Sequence, residues 1–288
     1  MHNIQLFPFK VGKNPGSNIG SIFRYPGGKK NLISSTRGWI LSGEKPHTFV
    51  EPFAGSAVTS MAVLRENLAD SVFLSDLDPM VANFWEIIAS GGAKELCERL
   101  LSFKIDRENV LKVISKVGLS GIDLAFQCIV RNRTSHNGIL GPGKAGTIGE
   151  IGRGNKGISS CWTIRTFVPR IMEAGGFFQS GRAVFVRQDA IKTMCQFEDD
   201  PSAVSFIDPP YLVQGSQLYE TEGVTYQEVL LSAKRLCGRK LVTYDMVPEI
   251  AKEAIKNGFT PYRFPMLSAG GNSGGGFKDE LVLLGEAA

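Results

Sequence analysis

The sequence predicts an α/β fold: a mainly parallel sheet covered by helices, with an antiparallel hairpin at one edge and an inserted lobe of helices and loops. Strand–turn–helix units occur towards both ends of the chain, which is the pattern of parallel strands joined by crossover helices. A glycine-rich stretch without a sustained period separates these two regions and indicates the lobe. With 288 residues, of which 43% are hydrophobic, the chain is long enough for one large core and a smaller lobe.

Two strand–turn–helix units open the predicted sheet. In "HTFVEPFAGSAVTSMAVLREN" a short strand ends at Glu51, a turn contains Gly55, and an amphipathic helix follows over about residues 56–67 with Ser56 as its N-cap. In "SVFLSDLDPMVANFWEII" a second strand leads through an acidic turn into a helix with Pro79 near its first position. Both strands are therefore expected to end at the same edge of the sheet.

The inserted lobe is predicted over residues 91–175. Residues from about 91 to 130 have helical character with breaks at Gly118 and Gly121, and "NGILGPGKAGTIGEIGRGNKGISS" is predicted as a long loop. The α/β pattern resumes with "RAVFVRQDAI", "SAVSFIDPPYL" and "RKLVTYD". The last two strand-like stretches, "TPYRFPM" and "DELVLLG", have no helix between them and predict the edge hairpin. Residues 1–90 and 176–288 are expected to form one domain around the lobe.

Composition limits the kinds of site and partner. The five cysteines are all more than thirty residues apart, and the only histidines are His2, His47 and His136. Clustered zinc or iron–sulfur ligands are therefore missing from the sequence, and no metal is expected. The net charge is only +4, but residues 131–170 hold seven basic residues against one acid, Glu150. Such a segment is typical of a protein with a polyanion partner such as nucleic acid, and a solvated loop face is the alternative.

Targeting signals are not evident in the sequence. No apolar run is long enough to cross a bilayer, and the N-terminal "MHNIQLFPFKVGKNPG" lacks the charged-then-apolar pattern of a signal peptide. The expected location is the cytoplasm, with reduced thiols and no membrane partner.

Three acids stand at the ends of predicted strands: Glu51, Asp76 and Asp208. Ligands of open parallel sheets bind beyond the carboxyl ends of the strands, so these acids could face one crevice. Gly55 allows close backbone approach, and an acid at the end of the next strand is the arrangement that binds ribose hydroxyls. "EPFAGS" is not the G-x-G-x-x-G fingerprint, and Glu51 would repel a pyrophosphate. S-adenosylmethionine, with its ribose and cationic tail, fits better; helix capping and turn formation are the alternative for each acid.

The stretch "FIDPPYL" combines a carboxylate, two prolines and a phenol at a strand end. Pro209 and Pro210 each fix φ and lack a backbone N–H, so the turn sets the direction of their carbonyl groups. Asp208 and a nearby carbonyl make two acceptors that suit an exocyclic amino group, while Tyr211 offers a face for a planar base. Holding the amine hydrogens would free the nitrogen lone pair to attack a methyl sulfonium. An ordinary strand-ending turn is the alternative.

The segments "FRYPGGKKNLI", "FVEPFAGSAV" and "FIDPPYL" occur in this order, with the lobe before the third. Together they resemble the motifs of Dam-type (D12 class) N6-adenine DNA methyltransferases, and the resemblance extends to the C-terminal "KDELVLLG". It implies a Rossmann-like class I methyltransferase sheet and a DNA-recognition lobe. It also implies methyl transfer from S-adenosylmethionine to N6 of an adenine flipped out of duplex DNA.

The resemblance implies roles at individual positions. Lys29 would lie near the carboxylate of the cofactor, Asp76 would take its ribose hydroxyls, and Asp189 matches the acid that contacts its adenine amine. Asp208 would hold the target amine. The full assignment is cofactor binding by Tyr25, Lys29, Glu51, Phe53, Gly55, Asp76 and Asp189, and catalysis by Asp208, Pro209 and Tyr211.

In the predicted lobe, "RNRTSHNGIL" resembles the N-R-T-x-aromatic-(N/S)-G segment of the family. His136 stands where the family commonly has Phe or Tyr, a residue that wedges into the base stack; a histidine stacks more weakly, and a loop residue without a role is the alternative. The arginine that GATC-reading members carry after the glycine is missing, so a GATC target is not assumed. Arg133 would contact phosphate or serve the structure. DNA binding is assigned to Asn132, Arg133, Thr134, Ser135, His136, Asn137 and Lys144.

Other activities of the same fold stay open from the sequence. Methylation of cytosine N4 or of RNA is one alternative, and a catalytically silent DNA-binding protein is another. Asp208 argues against the N4 reaction, because those enzymes usually carry serine before P-P-Y. The basic insert argues against RNA, and intact Glu51 and Asp76 argue against a silent relative. Duplex DNA is the expected partner in a prokaryotic or phage setting, and a cognate restriction or defence component is left open.

Overall fold

A seven-stranded mixed sheet organises the chain in the computed structural model, which describes residues 4–9, 20–24, 32–135, 138, 140, 157–210, 224–267 and 277–287. The strands are β1 (Thr48–Glu51), β2 (Ser71–Ser75), β3 (Ala183–Val186), β4 (Ala203–Ile207), β5 (Lys240–Asp245), β6 (Thr260–Leu267) and β7 (Phe277–Gly285).

The strand order is β3-β2-β1-β4-β5-β7-β6. Strands β1 to β5 are parallel, whereas β7 runs antiparallel to both β5 and β6. The predicted α/β fold and its antiparallel edge hairpin are therefore confirmed. Strand β1 has β2 on one side and β4 on the other, so the chain order changes direction there, and such a switch point opens a crevice at the carboxyl edge.

Helices connect the strands and cover the sheet. The described α-helices are α1 (Ile33–Leu41), α2 (Val58–Arg65), α3 (Pro79–Ala89), α4 (Ala93–Ser102), α5 (Arg107–Ile114), α6 (Gly121–Thr134), α7 (Ile164–Gln179), α8 (Ala190–Gln196), α9 (Tyr226–Arg235) and α10 (Pro248–Lys256).

The turn between β1 and α2 differs from the prediction. Helix α2 begins at Val58, and its N-cap is Ala57, with φ 46° and no side-chain cap, so the assignment of Ser56 as N-cap was wrong. Gly55 also has φ 46°, and the N–H of Ala57 donates to the carbonyl of Ala54 at 2.5 Å. Helix α2 therefore begins from a tight left-handed turn and not from a side-chain cap. This turn changes the direction of the backbone sharply at the carboxyl edge of β1.

Helix α3 begins as the sequence predicts. Pro79 occupies its first turn, and the Asp78 side chain accepts the N–H groups of Met80 and Val81 at 2.9 and 3.0 Å. Proline suits this position because its missing N–H would have no partner within the helix. The acidic turn after β2 therefore contains a true helix cap beside Asp76.

The described helices of the predicted lobe pack on the helices of the sheet. Phe84 and Trp85 of α3 belong to the same buried cluster as Ile129 of α6 and Phe167 and Ile171 of α7. Helix α7 also continues to Gln179, past the predicted boundary at residue 175. The breaks at Gly118 and Gly121 are confirmed, since α5 ends before the first and α6 starts at the second. The division into two domains stays a prediction.

Candidate active site

Three carboxyl groups lie at the ends of neighbouring parallel strands. Glu51 is the last residue of β1, Asp76 follows β2 directly, and Asp208 follows β4 directly. Because β1 pairs with β2 on one side and β4 on the other, the three strand ends are adjacent. The charges of Asp76 and Asp208 both act on the ionisation of Glu51. The structure therefore brings together the acids that the sequence singles out.

Glu51 is an almost fully buried acid, with 4% of its surface exposed. Its Oε2 accepts hydrogen bonds from the Ser60 hydroxyl and, at 3.2 Å, from the Ser60 N–H. Burial raises the pKa of Glu51 to about 8; the charges of Asp208 and Asp76 raise it further, and the bonds from Ser60 oppose the rise. At neutral pH the buried carboxyl group is thus mainly protonated.

Asp76 connects the turns that follow β1 and β2. Its Oδ2 accepts the N–H of Gly55 at 2.7 Å, and its Oδ1 accepts the N–H of Asp78 at 2.9 Å. Burial raises the pKa of Asp76 to about 6 against the effect of these bonds. The Gly55 carbonyl in turn accepts the indole N–H of Trp85 at 2.9 Å. The glycine turn and the acid are thus fixed to each other and to α3.

Asp208 lies where β4 stops pairing with β5. The next residue, Pro209, is buried, and Pro210 is half-buried. The Thr243 hydroxyl of β5 donates to Asp208 Oδ1 at 2.6 Å. Burial raises the pKa of the neighbouring Tyr244 well above its ordinary value, and the charge of Asp208 adds to this, so the phenol keeps its proton. The acid that opens the D-P-P-Y motif is therefore held by a buried donor.

Two further cofactor candidates lie near this edge. Asp189 follows β3 and caps α8, since its Oδ1 accepts the N–H groups of Ile191 and Lys192 at 2.8 and 3.3 Å. Phe53 is half-buried after β1 and packs against the hydrophobic cluster that contains Ile207. Both side chains have structural contacts, and their roles towards a cofactor stay predictions.

The described part of the N-R-T segment faces the interior. Asn132 is fully buried; its Oδ1 accepts the N–H of Arg24 at 2.7 Å, and its Nδ2 donates to the carbonyls of Arg24 and Gly138 at 2.9 and 2.8 Å. The Thr134 hydroxyl donates to the Val130 carbonyl at 2.7 Å. The amide of Asn132 therefore joins the end of α6 to the segment before the P-G-G-K motif.

Arg133 is buried in the same junction. Its guanidinium donates to the carbonyls of Ser21, at 3.2 Å, and Ile22, and lies 4.6 Å from the centre of the Phe167 ring. Burial, aided by the charges of Arg24 and Arg170, lowers the pKa of Arg133 to about 10. Of the two roles considered for Arg133, these contacts favour the structural one. Ser135 is also buried.

Several predicted site residues lie outside the described residues. They are Tyr25, Lys29, His136, Asn137, Lys144 and Tyr211.

Two polar residues of this site were not identified from the sequence. Ser60 is a fully buried residue of α2, nine positions after Glu51, and Thr243 is a fully buried residue of β5. The available signal was a hydroxyl within an otherwise apolar stretch, because a buried polar group needs a hydrogen-bond partner. Nothing in the stretch indicates which acceptor it finds, since the acceptor comes from another part of the chain.

The described residues form neither a metal-binding cluster nor a membrane-spanning helix. No group of three or more His, Cys, Asp or Glu side chains there could hold a metal ion. None of the described helices combines the length and apolar character that a bilayer span requires.

Comparison with known proteins gives one matching family and several solved structures of low sequence identity. The similar structures include a protein from Pyrococcus horikoshii that is described as an RNA methyltransferase (15% identity, TM-score 0.42, 97% of this chain and 92% of that chain). They also include the rRNA methyltransferase aviRa from Streptomyces viridochromogenes (15% identity, TM-score 0.41, 97% of this chain and 96% of that chain). A third is a precorrin-6y C5,15-methyltransferase from Geobacter metallireducens (12% identity, TM-score 0.37, 88% of this chain and 89% of that chain). A search of curated proteins gives no match.

The family comparison covers the three motifs noted in the sequence. The model of the D12 class N6 adenine-specific DNA methyltransferases matches residues 25–252, which is most of the chain. This range includes the P-G-G-K segment, the β1 turn and the D-P-P-Y strand end. The resemblance noted in the sequence is therefore confirmed, and the chain belongs to the D12 class of N6 adenine-specific DNA methyltransferases.

Proposed function

We propose that this methyltransferase transfers the methyl group of S-adenosylmethionine to N6 of an adenine in duplex DNA. The observation that carries the proposal is the placement of Asp208 at the carboxyl edge of the sheet, beside the end of β1, whose other neighbour is β2. An acid at this position can hold an amine that approaches a cofactor bound over Glu51 and Asp76. Family membership supports the reaction class.

The acids fit the chemistry of the proposed cofactor. Glu51 is neutral when buried alone, and a cationic group beside it would favour its charged form. Asp76 is oriented in advance by the N–H groups of Gly55 and Asp78, which suits a carboxylate that accepts ribose hydroxyls. When bound, S-adenosylmethionine supplies an electrophilic methyl group. Tyr25, Lys29, Phe53 and Asp189 complete the proposed cofactor site.

The D-P-P-Y strand end is proposed to hold the target base. Asp208 and the carbonyl of Pro209 would accept the two hydrogens of the adenine amino group, so that the nitrogen lone pair is free to form the bond to the methyl carbon. The bond between that carbon and the sulfonium sulfur would break as the new one forms, a neutral thioether would leave, and one N6 proton would be released to solvent. The negative charge of Asp208 stabilises the positive charge that develops on this nitrogen. Tyr211 stacks on the adenine ring after the base has left the duplex.

The lobe is proposed to read the DNA through the end of its N-R-T segment. The buried residues Asn132, Arg133, Thr134 and Ser135 would support this end from inside. His136, Asn137 and Lys144 would then contact the duplex. This assignment separates residues that shape the segment from residues that touch DNA.

An assay of the methylated product tests the proposal. Purified protein with labelled S-adenosylmethionine and mixed-sequence duplex DNA is expected to give N6-methyladenine. Asp208→Ala should lower the rate by at least about 100-fold while cofactor affinity stays near the wild-type value. Asp199→Ala, in an exposed turn before β4, is the matched control and should retain activity.

The other outcomes count against separate parts of the proposal. Label on cytosine would reassign the target base, and label on RNA alone would reassign the substrate. An active Asp208→Ala variant would refute the role of this carboxylate.

A further inference from the structure

We infer that Thr243 is a positioning residue: its hydroxyl fixes the carboxyl group of Asp208 in the orientation that receives the target amino group. This inference rests on the proposed function. It assigns a role in catalysis to β5, a strand that contributes no residue to the proposed cofactor site or to base binding.

The register of the sheet places the two side chains together. Strands β4 and β5 pair in parallel, and Ile207 with Val242 is their last pair. Asp208 follows β4 directly, and Thr243 is the next residue of β5. Backbone pairing stops there because the following prolines have no N–H to donate. The bond from Thr243 Oγ1 to Asp208 Oδ1, 2.6 Å long, continues the connection between the strands through side chains.

Thr243 is held rigidly in place. It lies on an interior strand, paired with Val282 of β7 on the side away from β4, and its surface is fully buried. Its sequence neighbours Val242 and Tyr244 are buried as well. Strand pairing and burial limit the movement of the backbone and the hydroxyl, and the β-branch restricts χ1 further. Asp208 therefore receives its hydrogen bond from a fixed point.

A fixed donor matters because of the freedom of an aspartate side chain. A carboxyl group turns about two side-chain bonds unless one of its oxygens is held, and a hydrogen bond to a charged acceptor is among the stronger ones. Reaction rates respond steeply to small errors in the position of a group that holds the nucleophile. Loss of this hydroxyl should thus affect the rate of methyl transfer more than the binding of cofactor or DNA.

The alternative is that Asp208 merely satisfies a buried hydroxyl. A buried Thr needs an acceptor in any case, and its loss would then change only the stability of the protein. The two explanations differ in kinetics. Positioning predicts a lower kcat with little change in KM, whereas a purely structural role predicts a lower Tm with an unchanged kcat.

Three variants of the full chain separate these explanations. Thr243→Val keeps the shape but removes the hydroxyl, and kcat should fall about 10- to 100-fold, while KM for DNA and Kd for S-adenosylmethionine change less than about 3-fold. Thr243→Ser keeps the hydroxyl and should stay within about 3-fold of the wild-type kcat. Thr36→Val removes a buried hydroxyl from α1 and should leave kcat unchanged. If Thr243→Val does not fold, Thr243→Ala against Thr243→Ser gives the same comparison.

Each outcome decides the matter. A wild-type kcat for Thr243→Val, whatever its Tm, overturns the inference. So does a Thr243→Ser variant as slow as Thr243→Val, because the hydroxyl would then not be the cause. Wild-type protein that methylates no DNA refutes the proposed function, and the inference falls with it. If the wild type is active and Thr243→Val or Thr243→Ala has the wild-type kcat, the inference alone is refuted and the proposed function stands.

Discussion

Among the single residues of the site, Glu51 shows most directly how burial sets chemistry. Glu51 is the last residue of β1, and its carboxyl group accepts two hydrogen bonds from Ser60 and is affected by the charges of Asp208 and Asp76. Burial is the largest effect on its pKa, which lies near 8 against an ordinary value of 4.5. The buried carboxyl group is therefore mainly neutral at the place where the proposed cofactor would bring a positive charge.

The raised pKa of Glu51 predicts a pH-dependent stability. Between about pH 5 and 8 the folded protein retains a proton that the unfolded chain has released, so the free energy of unfolding falls as the pH rises. Glu51→Gln has no such proton and should lose less stability across this range. The difference from wild type should grow to an amount on the order of 3 kcal/mol at pH 8. Urea unfolding at a series of pH values measures it.

The control for this experiment is a change of the same type on the surface. Glu249→Gln alters an exposed acid in the first turn of α10, and its curve should run parallel to that of the wild type. A parallel curve for Glu51→Gln as well would mean that Glu51 is ionised in the folded protein.

At the scale of elements, the end of α6 acts as a connector. Asn132 pairs with both backbone groups of Arg24 much as a neighbouring strand would, and Arg133 reaches the carbonyls of residues 21 and 22. Phe167 brings α7 into the same junction. The segment that the sequence associates with DNA thus first fixes the helices of the predicted lobe to the chain that leads into the P-G-G-K motif.

This junction predicts that Arg133 affects stability. Arg133→Lys keeps the positive charge but loses the planar fork and the contact with the Phe167 ring. The free energy of unfolding should fall by about 2 kcal/mol, because buried carbonyls lose a donor. Arg165→Lys, at an exposed position of α7, is the control and should change stability by less than about 0.5 kcal/mol. Denaturant unfolding measures the free energy of unfolding of both variants. Equal values for Arg133→Lys and Arg165→Lys would contradict the structural role of Arg133.

The elements also show how far the sequence could be interpreted. The strands and the hairpin follow from local patterns, and the acids of β1, β2 and β4 follow from the rule that parallel strands end at one edge. The start of α2 could not be foreseen, because Ala57 adopts φ 46° in a turn set by tertiary contacts rather than by its own preference. The same holds for Thr243, since its partner Asp208 lies 35 positions away.

For the molecule as a whole, the structure changes which basic residues are available to a partner. The segment 131–170 holds seven basic residues against one acid, in a chain whose net charge is only +4. Arg131 donates to the carbonyls of Leu140 and Ile114, and Arg133 is buried, so two of its arginines serve the fold. Arg165 is exposed, and Lys144 belongs to the part of the segment that is proposed to touch DNA.

This distribution predicts different salt responses for DNA binding. Each lysine that contacts a phosphate contributes about one to the slope of log K against log salt concentration, through the release of counterions. Lys144→Gln should therefore weaken binding to duplex DNA of any sequence and reduce the slope by about one. Lys252→Gln, at an exposed position of α10, removes the same charge outside the segment and should leave the slope unchanged. Fluorescence anisotropy over about 50 to 300 mM salt measures the affinity of each variant for DNA and its salt slope. Equal slopes for Lys144→Gln and Lys252→Gln would mean that the net charge of the protein, rather than this segment, attracts the DNA.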